Sequence, residues 1–106
     1  MPGSLKLVWF VPPAHLRATR DAVFAAGAGR IGDYSRCSWA TLGEGTFRGG
    51  EGTSPALGEP GRDETVAEYR VEAVVPAEKL DAVLEALRRA HPYEEPAFDV
   101  YERVER

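Results

Sequence analysis

The sequence predicts an α+β domain in which a four-stranded sheet carries two helices on one face, in the order β-α-β-β-α-β. Three observations predict it. A strand-like run followed by a helix-like run occurs twice, with Val11, Pro12 and Leu16 matched by Val75, Pro76 and Leu80 at one constant spacing of 64 positions. Ala18, Ala22 and Ala26 repeat as Ala82, Ala86 and Ala90 at the same spacing. Each half also has room for one further strand with alternating polarity, and prolines and glycines punctuate the boundaries. This is the split ferredoxin-like arrangement.

The first strand spans Leu5 to Val11, LKLVWFV, apolar at nearly every position as in a strand covered on both faces. Pro12 and Pro13 end it and open a helix, because proline lacks only an N–H that a first helical turn leaves unpaired. That helix is expected from about Ala14 to Ala26, with Leu16, Thr19, Val23 and Ala26 on one stripe and Gly27 as its left-handed stop. Cys37, Trp39 and Thr41 alternate in a second strand ending at Gly43. From Gly43 to Gly61 seven glycines and two prolines predict a long loop, with at most a short hairpin at Thr46 to Arg48. Glu68 to Val75 alternates as a half-buried third strand, a second helix carrying Leu80, Ala82, Ala86 and Ala90 follows, and Phe98, Val100 and Val104 mark the last strand.

The bulk composition narrows the function. A chain of 106 residues with 43% hydrophobic positions suits one domain, residues 1–106, which buries roughly two thirds of the surface its unfolded chain exposes. A formal charge of −4 disfavours general nucleic-acid binding. Cys37 is the only cysteine, so no internal disulfide forms and a reducing, cytoplasmic setting is expected. The apolar run Leu7 to Val11 is too short for a signal core, and no membrane span is expected. Helices on one face leave the other face of the sheet bare, which predicts a homo-oligomer, dimer or trimer. Trp9, Tyr69 and Tyr101 are candidates for that face, the alternative being that these aromatics flank the core.

Two motifs compete for chemistry. Gly27-Ala28-Gly29-Arg30-Ile31-Gly32 has the dinucleotide spacing G-x-G-x-x-G, but here a helix precedes and a strand follows, the reverse of what a pyrophosphate cradle needs. Helix termination and a tight turn account for these glycines. His91-Pro92-Tyr93-Glu94-Glu95-Pro96 concentrates the functional side chains: both His91 and Glu95 precede proline, so the segment is a stiff, extended joint. At a helix C-terminus His91 is expected to favour its charged form, with Glu94 or Glu95 sharing its proton or a cation. The plainer reading is a helix stop with a capping histidine and solvated glutamates. His15 is expected at the surface and Cys37 as a small buried side chain rather than a nucleophile. Arg30, Arg36 and Arg48 flank the glycine-rich stretches, where guanidinium and backbone N–H groups could hold a phosphate or carboxylate, or remain solvated surface charges.

The strings Gly27 to Ser38 (GAGRIGDYSRCS), Gly45-Thr46-Phe47, Gly50-Glu51-Gly52, Pro55, Gly58-Glu59 and His91 to Asp99 (HPYEEPAFD) resemble the inserted middle domain of the dinuclear-metal-centre proteins. These are also called NIF-three-like proteins or GTP cyclohydrolase I type 2 homologues. The resemblance covers most of the chain and implies a PII-like, CutA-like form of the same fold, here as a stand-alone domain. The C-terminal string is also similar to the trimeric CutA divalent-cation-tolerance proteins. The family's two-metal site is made by flanking core halves with no counterpart here, so hydrolase chemistry does not carry over. Gly49 stands where that resemblance implies a proline.

The expected function is a non-catalytic, self-associating domain that binds a small molecule or protein partner through Arg30, Tyr34, Arg48, His91, Tyr93 and Glu94. Two alternatives remain open. One is a divalent metal ion held by His91, Glu94 and Glu95, or Cys37, of several copies. The other is a small enzyme using His91 as general acid or base. No other cofactor is expected.

Overall fold

The computed structural model describes residues 3–54 and 58–104. Strand β1 (Ser4–Val11) leads through a 3-10 turn (Pro13–His15) into helix α1 (Leu16–Ala25). Strands β2 (Trp39–Arg48) and β3 (Asp63–Pro76) follow as a hairpin. A second 3-10 turn (Ala77–Lys79), helix α2 (Leu80–Ala90) and strand β4 (Phe98–Glu102) complete the chain. The sheet is antiparallel throughout, in the order β2-β3-β1-β4. The α+β, ferredoxin-like prediction therefore holds, with each half entering its helix through the same proline and 3-10 turn. Among the described residues no helix is long and apolar enough to cross a membrane.

Alternation along the central strands sends Leu7, Trp9, Val11, Val71, Ala73 and Val75 to one face, where Val23 of α1 and Val83 and Leu87 of α2 close over them. Full burial of each such side chain is worth about 1.5–3 kcal/mol. The one polar group in this layer is satisfied locally. Trp9 Nε1 donates to Thr19 Oγ1 at 3.0 Å, and Thr19, itself fully buried, returns its own proton to the His15 or Leu16 carbonyl one turn back. Thr19→Val keeps the shape but orphans the indole N–H, so we expect a loss of about 1–3 kcal/mol in a urea unfolding curve.

α1 ends where Gly27 adopts φ 121°, with the Ala28 N–H reaching back to Val23 O and the Gly27 N–H to Phe24 O. This is a Schellman closure, in which Gly27 terminates the helix as its position in the sequence predicts. α2 ends on His91, whose extended backbone (φ −82°, ψ 137°) is the conformation Pro92 imposes on its predecessor.

Several local expectations are corrected. The segment from Gly43 to Arg48 is strand rather than loop: β2 and β3 pair without interruption from Trp39↔Glu72 to Arg48↔Asp63. Gly43 and Gly45 read as loop formers, yet they serve as strand residues without side chains; the Glu68 carboxylate lies where a Cβ on Gly45 would stand. The connecting loop shrinks to 49–62, and Pro55 lies outside the described residues. Cys37 precedes β2 and is half-buried, its N–H bonded to Gly29 O at 2.8 Å. His15 is half-buried beneath the α1 entry rather than at the surface. Helix α1 proper begins at Leu16 because Pro13 to His15 form the tighter turn. Val104 lies past the end of β4 and is 82% exposed.

The aromatic assignments divide. Register places Trp9 and Tyr69 on the helix-covered side, Trp9 fully buried and Tyr69 packed against the core. Only Tyr101, opposite Lys6, reaches the bare face, and Trp39, opposite Glu72, joins it there. Between them the bare face carries a charged cluster. Glu72 bonds Lys6 at 3.1 Å and Arg70 at 3.2 Å, and Arg70 lies 5.9 Å from the centre of the Phe10 ring. The Lys6 hydrogen bond, opposed by burial and aided by Arg70, holds the Glu72 carboxyl below its usual range.

Candidate functional site

The rigid joint after α2 organises one end of the sheet. His91 is buried, and both its ring nitrogens are spoken for. Nε2 lies 2.6 Å from the Phe10 carbonyl oxygen, which can only accept, so Nε2 carries the proton. Nδ1 accepts the Tyr93 N–H at 3.1 Å, so it carries none. The imidazole is therefore neutral in one defined tautomer. Burial pushes its pKa below 6.5, outweighing the upward pull of the Phe10 carbonyl and of Glu68. The charged form expected from the helix C-terminus does not prevail, because desolvation outweighs a dipole effect of at most about 2 kcal/mol. His91 is the post around which the joint is tied.

Tyr93 stacks at a tilt on His91, with ring centres 4.9 Å apart, and meets Phe47 of β2 at 6.3 Å. It thus packs against the hairpin beyond the end of β1, where β3 keeps β2 as its only strand neighbour among the described residues. Its hydroxyl is buried with no well-formed hydrogen bond among the described residues. Burial first and the nearby Glu68 carboxylate second push its pKa up to about 12. Glu94 ties this joint to the glycine-rich loop, its Oε2 accepting the Ser54 N–H at 3.0 Å. At the same end Arg48 pairs with Asp63 at 2.7 Å across the hairpin.

Four of the six expected binding residues, Arg48, His91, Tyr93 and Glu94, thus gather at one end of the sheet. Arg30 and Tyr34 do not join them. Their turn is fastened to the opposite end by the Gly29 N–H on Val74 O at 2.7 Å, and Tyr34 is 75% exposed there. Val74 pairs with Lys6, whereas the His91 joint holds Phe10, so the length of β1 separates the two groups. For a metal, His91, Glu94 and Glu95 do not fit within one chain: both histidine nitrogens are engaged, and Glu95 is exposed. Among the described residues no three His, Cys, Asp or Glu side chains are grouped to hold a cation. Phe47 was missed from the sequence because it lies in β-strand that reads as loop, and Glu68 because a polar position in a half-buried strand reads as solvent-facing.

A four-stranded antiparallel sheet with two helices on one face, extended by a long β2-β3 hairpin, defines a domain of the ferredoxin-like fold. Solved structures of the CutA1 protein from Shewanella (TM-score 0.70, 14% identity, 98% of this chain and 84% of that one) and of GlnK from Bacillus subtilis (TM-score 0.61, 17% identity, 94% and 84%) share the fold. The kinship by sequence is more specific. The chain is homologous to a segment of NIF3-related proteins. It is 53% identical over 107 residues to the GTP cyclohydrolase 1 type 2 homolog of Mycobacterium tuberculosis, covering 98% of this chain and 28% of that protein. A Bacillus cereus protein related to NIF3 superimposes with a TM-score of 0.80 at 41% identity, over 96% of this chain and 26% of that one. The chain spans about a quarter of the length of the curated relatives it matches. No family model matches it.

Proposed function

We propose that this domain is a non-catalytic binding module that self-associates through its hairpin and bare sheet face. The observation that carries the reading is the β2-β3 hairpin. β1 accompanies β3 only from Tyr69 to Pro76, so Asp63 to Glu68 and their β2 partners form a two-stranded arm. An isolated two-stranded ribbon is marginal in water. The arm stretches the molecule to 46 × 24 × 23 Å, and Leu42 at its root and Trp39 at the other end of β2 are each 58% exposed. A second and third copy that supply neighbours to the arm would bury this surface and the free strand edges together. The joint of His91, Tyr93 and Glu94 then becomes the seam where hairpin and neighbour meet. That location suits a small ligand or a protein partner, and nothing about His91 suits it to proton transfer.

Sedimentation velocity at micromolar concentration is expected to show a discrete dimer or trimer. Trp39→Glu should shift it to monomer while leaving the far-UV circular dichroism unchanged. Monomer alone in the unaltered chain would overturn the reading. Native mass spectrometry of the same preparation reports any small molecule retained.

A further inference from the structure

We propose a second, separate site: an arginine-lined cleft on the outer side of α1 that binds a phosphate-bearing small molecule. The cleft, about 380 Å3 and open to solvent, is lined by Arg17, Arg20, Asp21, Phe24 and Arg36. It lies at the Gly27–Ser38 end of the molecule and does not depend on the hairpin reading above.

Two observations carry the proposal. The first is charge. Three guanidinium groups meet one carboxylate, a local surplus of two positive charges in a chain whose total is −4. Asp21 is committed to Arg36 at 2.6 Å, while Arg17 and Arg20 make no ion pair among the described residues. Like charges held side by side oppose folding, and a bound anion would remove that opposition.

The second observation is how Arg36 is held. It is the one non-glycine residue among those described with a left-handed backbone, φ 57°. Such a conformation persists only when its surroundings fix it. The surroundings here are specific. Its neighbour Cys37 donates its N–H to Gly29 O at 2.8 Å, Gly29 is itself bonded to Val74, and the Phe24 ring occupies the place a Gly29 side chain would take. The guanidinium then lies 5.0 Å from the centre of that ring. An arginine resting on an aromatic face is partly ordered in advance, so less side-chain entropy is lost when it binds a ligand.

The chemistry selects phosphate. A lone carboxylate would bring two oxygens and one charge, duplicating what Asp21 already gives Arg36. A phosphate monoester or diphosphate brings three or more oxygens and at least two charges, enough to engage Arg17, Arg20 and the outward nitrogens of Arg36 together. Nucleic acid is disfavoured by the overall negative charge.

Inorganic pyrophosphate is the probe, titrated into the full chain at low salt with the arginine side-chain resonances followed by NMR. Saturable shifts confined to Arg17, Arg20 and Arg36 are expected, weakening as salt rises. Arg36→Gly keeps the left-handed turn and should weaken binding at least tenfold, as should Arg17→Gln. Asp21→Asn removes the competing carboxylate and should tighten binding severalfold, an outcome that a merely structural ion pair does not produce. Absence of saturable shifts in both the unaltered chain and Asp21→Asn, each shown to be folded, would overturn the proposal. So would Arg36→Gly and Arg17→Gln variants that bind as the unaltered chain does.

Discussion

Replacing His91 by alanine is expected to cost about 2–4 kcal/mol of stability, because it removes the partner of two backbone groups at once. The Phe10 carbonyl loses its donor and the Tyr93 N–H its acceptor, at the point where α2 hands the chain to β4. Urea unfolding at pH 7.5 measures this directly. The same residue sets a pH dependence. Its folded pKa lies below 6.5, so the unfolded chain takes up a proton first as the solution is acidified. The contribution of His91 is complete well above pH 6.5 and is lost as the pH falls from there through the lower folded value. His91→Ala should flatten that part of the profile. The Glu72 carboxyl, also depressed, gives way in a separate window below pH 4.5. A His91→Ala profile that kept the full slope above pH 5 would show that another group carries it.

Gly29→Ala is expected to be comparably damaging, by about 2–5 kcal/mol, and for a different reason. Gly29 has φ 88°, where an L side chain is strained, and its new Cβ would stand 2.7 Å from two carbons of the Phe24 ring and 3.1 Å from the Cys37 nitrogen. In a domain of this size the loss corresponds to a fall in Tm of about 10 °C or more. Gly32→Ala is the control. It shares a left-handed backbone, φ 57°, but nothing lies within 4 Å of the added carbon, so only the conformational cost of about 1–2 kcal/mol applies. Equal losses at the two positions would mean that contact with Phe24 contributes nothing. Because Gly29 also sets Phe24 beneath Arg36, its alanine variant should bind pyrophosphate more weakly than the Gly32 variant.

The fold was legible because its two halves repeat. Leu16 and Leu80, Thr19 and Val83, and Val23 and Leu87 occupy matching positions, and the paired prolines mark both helix entries. What sequence could not show was strand in a glycine-rich setting. Gly43 and Gly45 have poor strand propensity, and at Gly45 it is the Glu68 carboxylate, lying where a Cβ would stand, that makes a residue without a side chain suitable. Sequence also leaves the side on which Trp9 lies open between bare face and core, since a strand apolar at nearly every position gives no alternation from which to read its sides; the Thr19 hydroxyl decides it for the core. For the candidate site, the importance of His91 was visible but its state was not. Burial against Phe10, distant in sequence, reverses the charge preference that the helix end alone implies. The split of Arg30 and Tyr34 from His91 likewise follows from where each segment is held, Gly29 at Val74 of β3 beside Lys6 and His91 at Phe10 of β1.

The charged cluster on the bare face has a geometric origin. Ser4 faces Pro76, and each step up β1 is a step down β3, while equivalent positions of the two halves lie 64 apart. Both conditions meet at Val8 and Glu72 alone, so an internal dyad passes between them. Lys6 and Arg70 are then rotational mates, and both lean on one carboxylate that only the later half supplies. The molecule breaks its own pseudosymmetry at the dyad, where a single acid bridges two bases. Restoring perfect symmetry there, with Val8's equivalent in place of Glu72, would leave two cations facing each other across the axis.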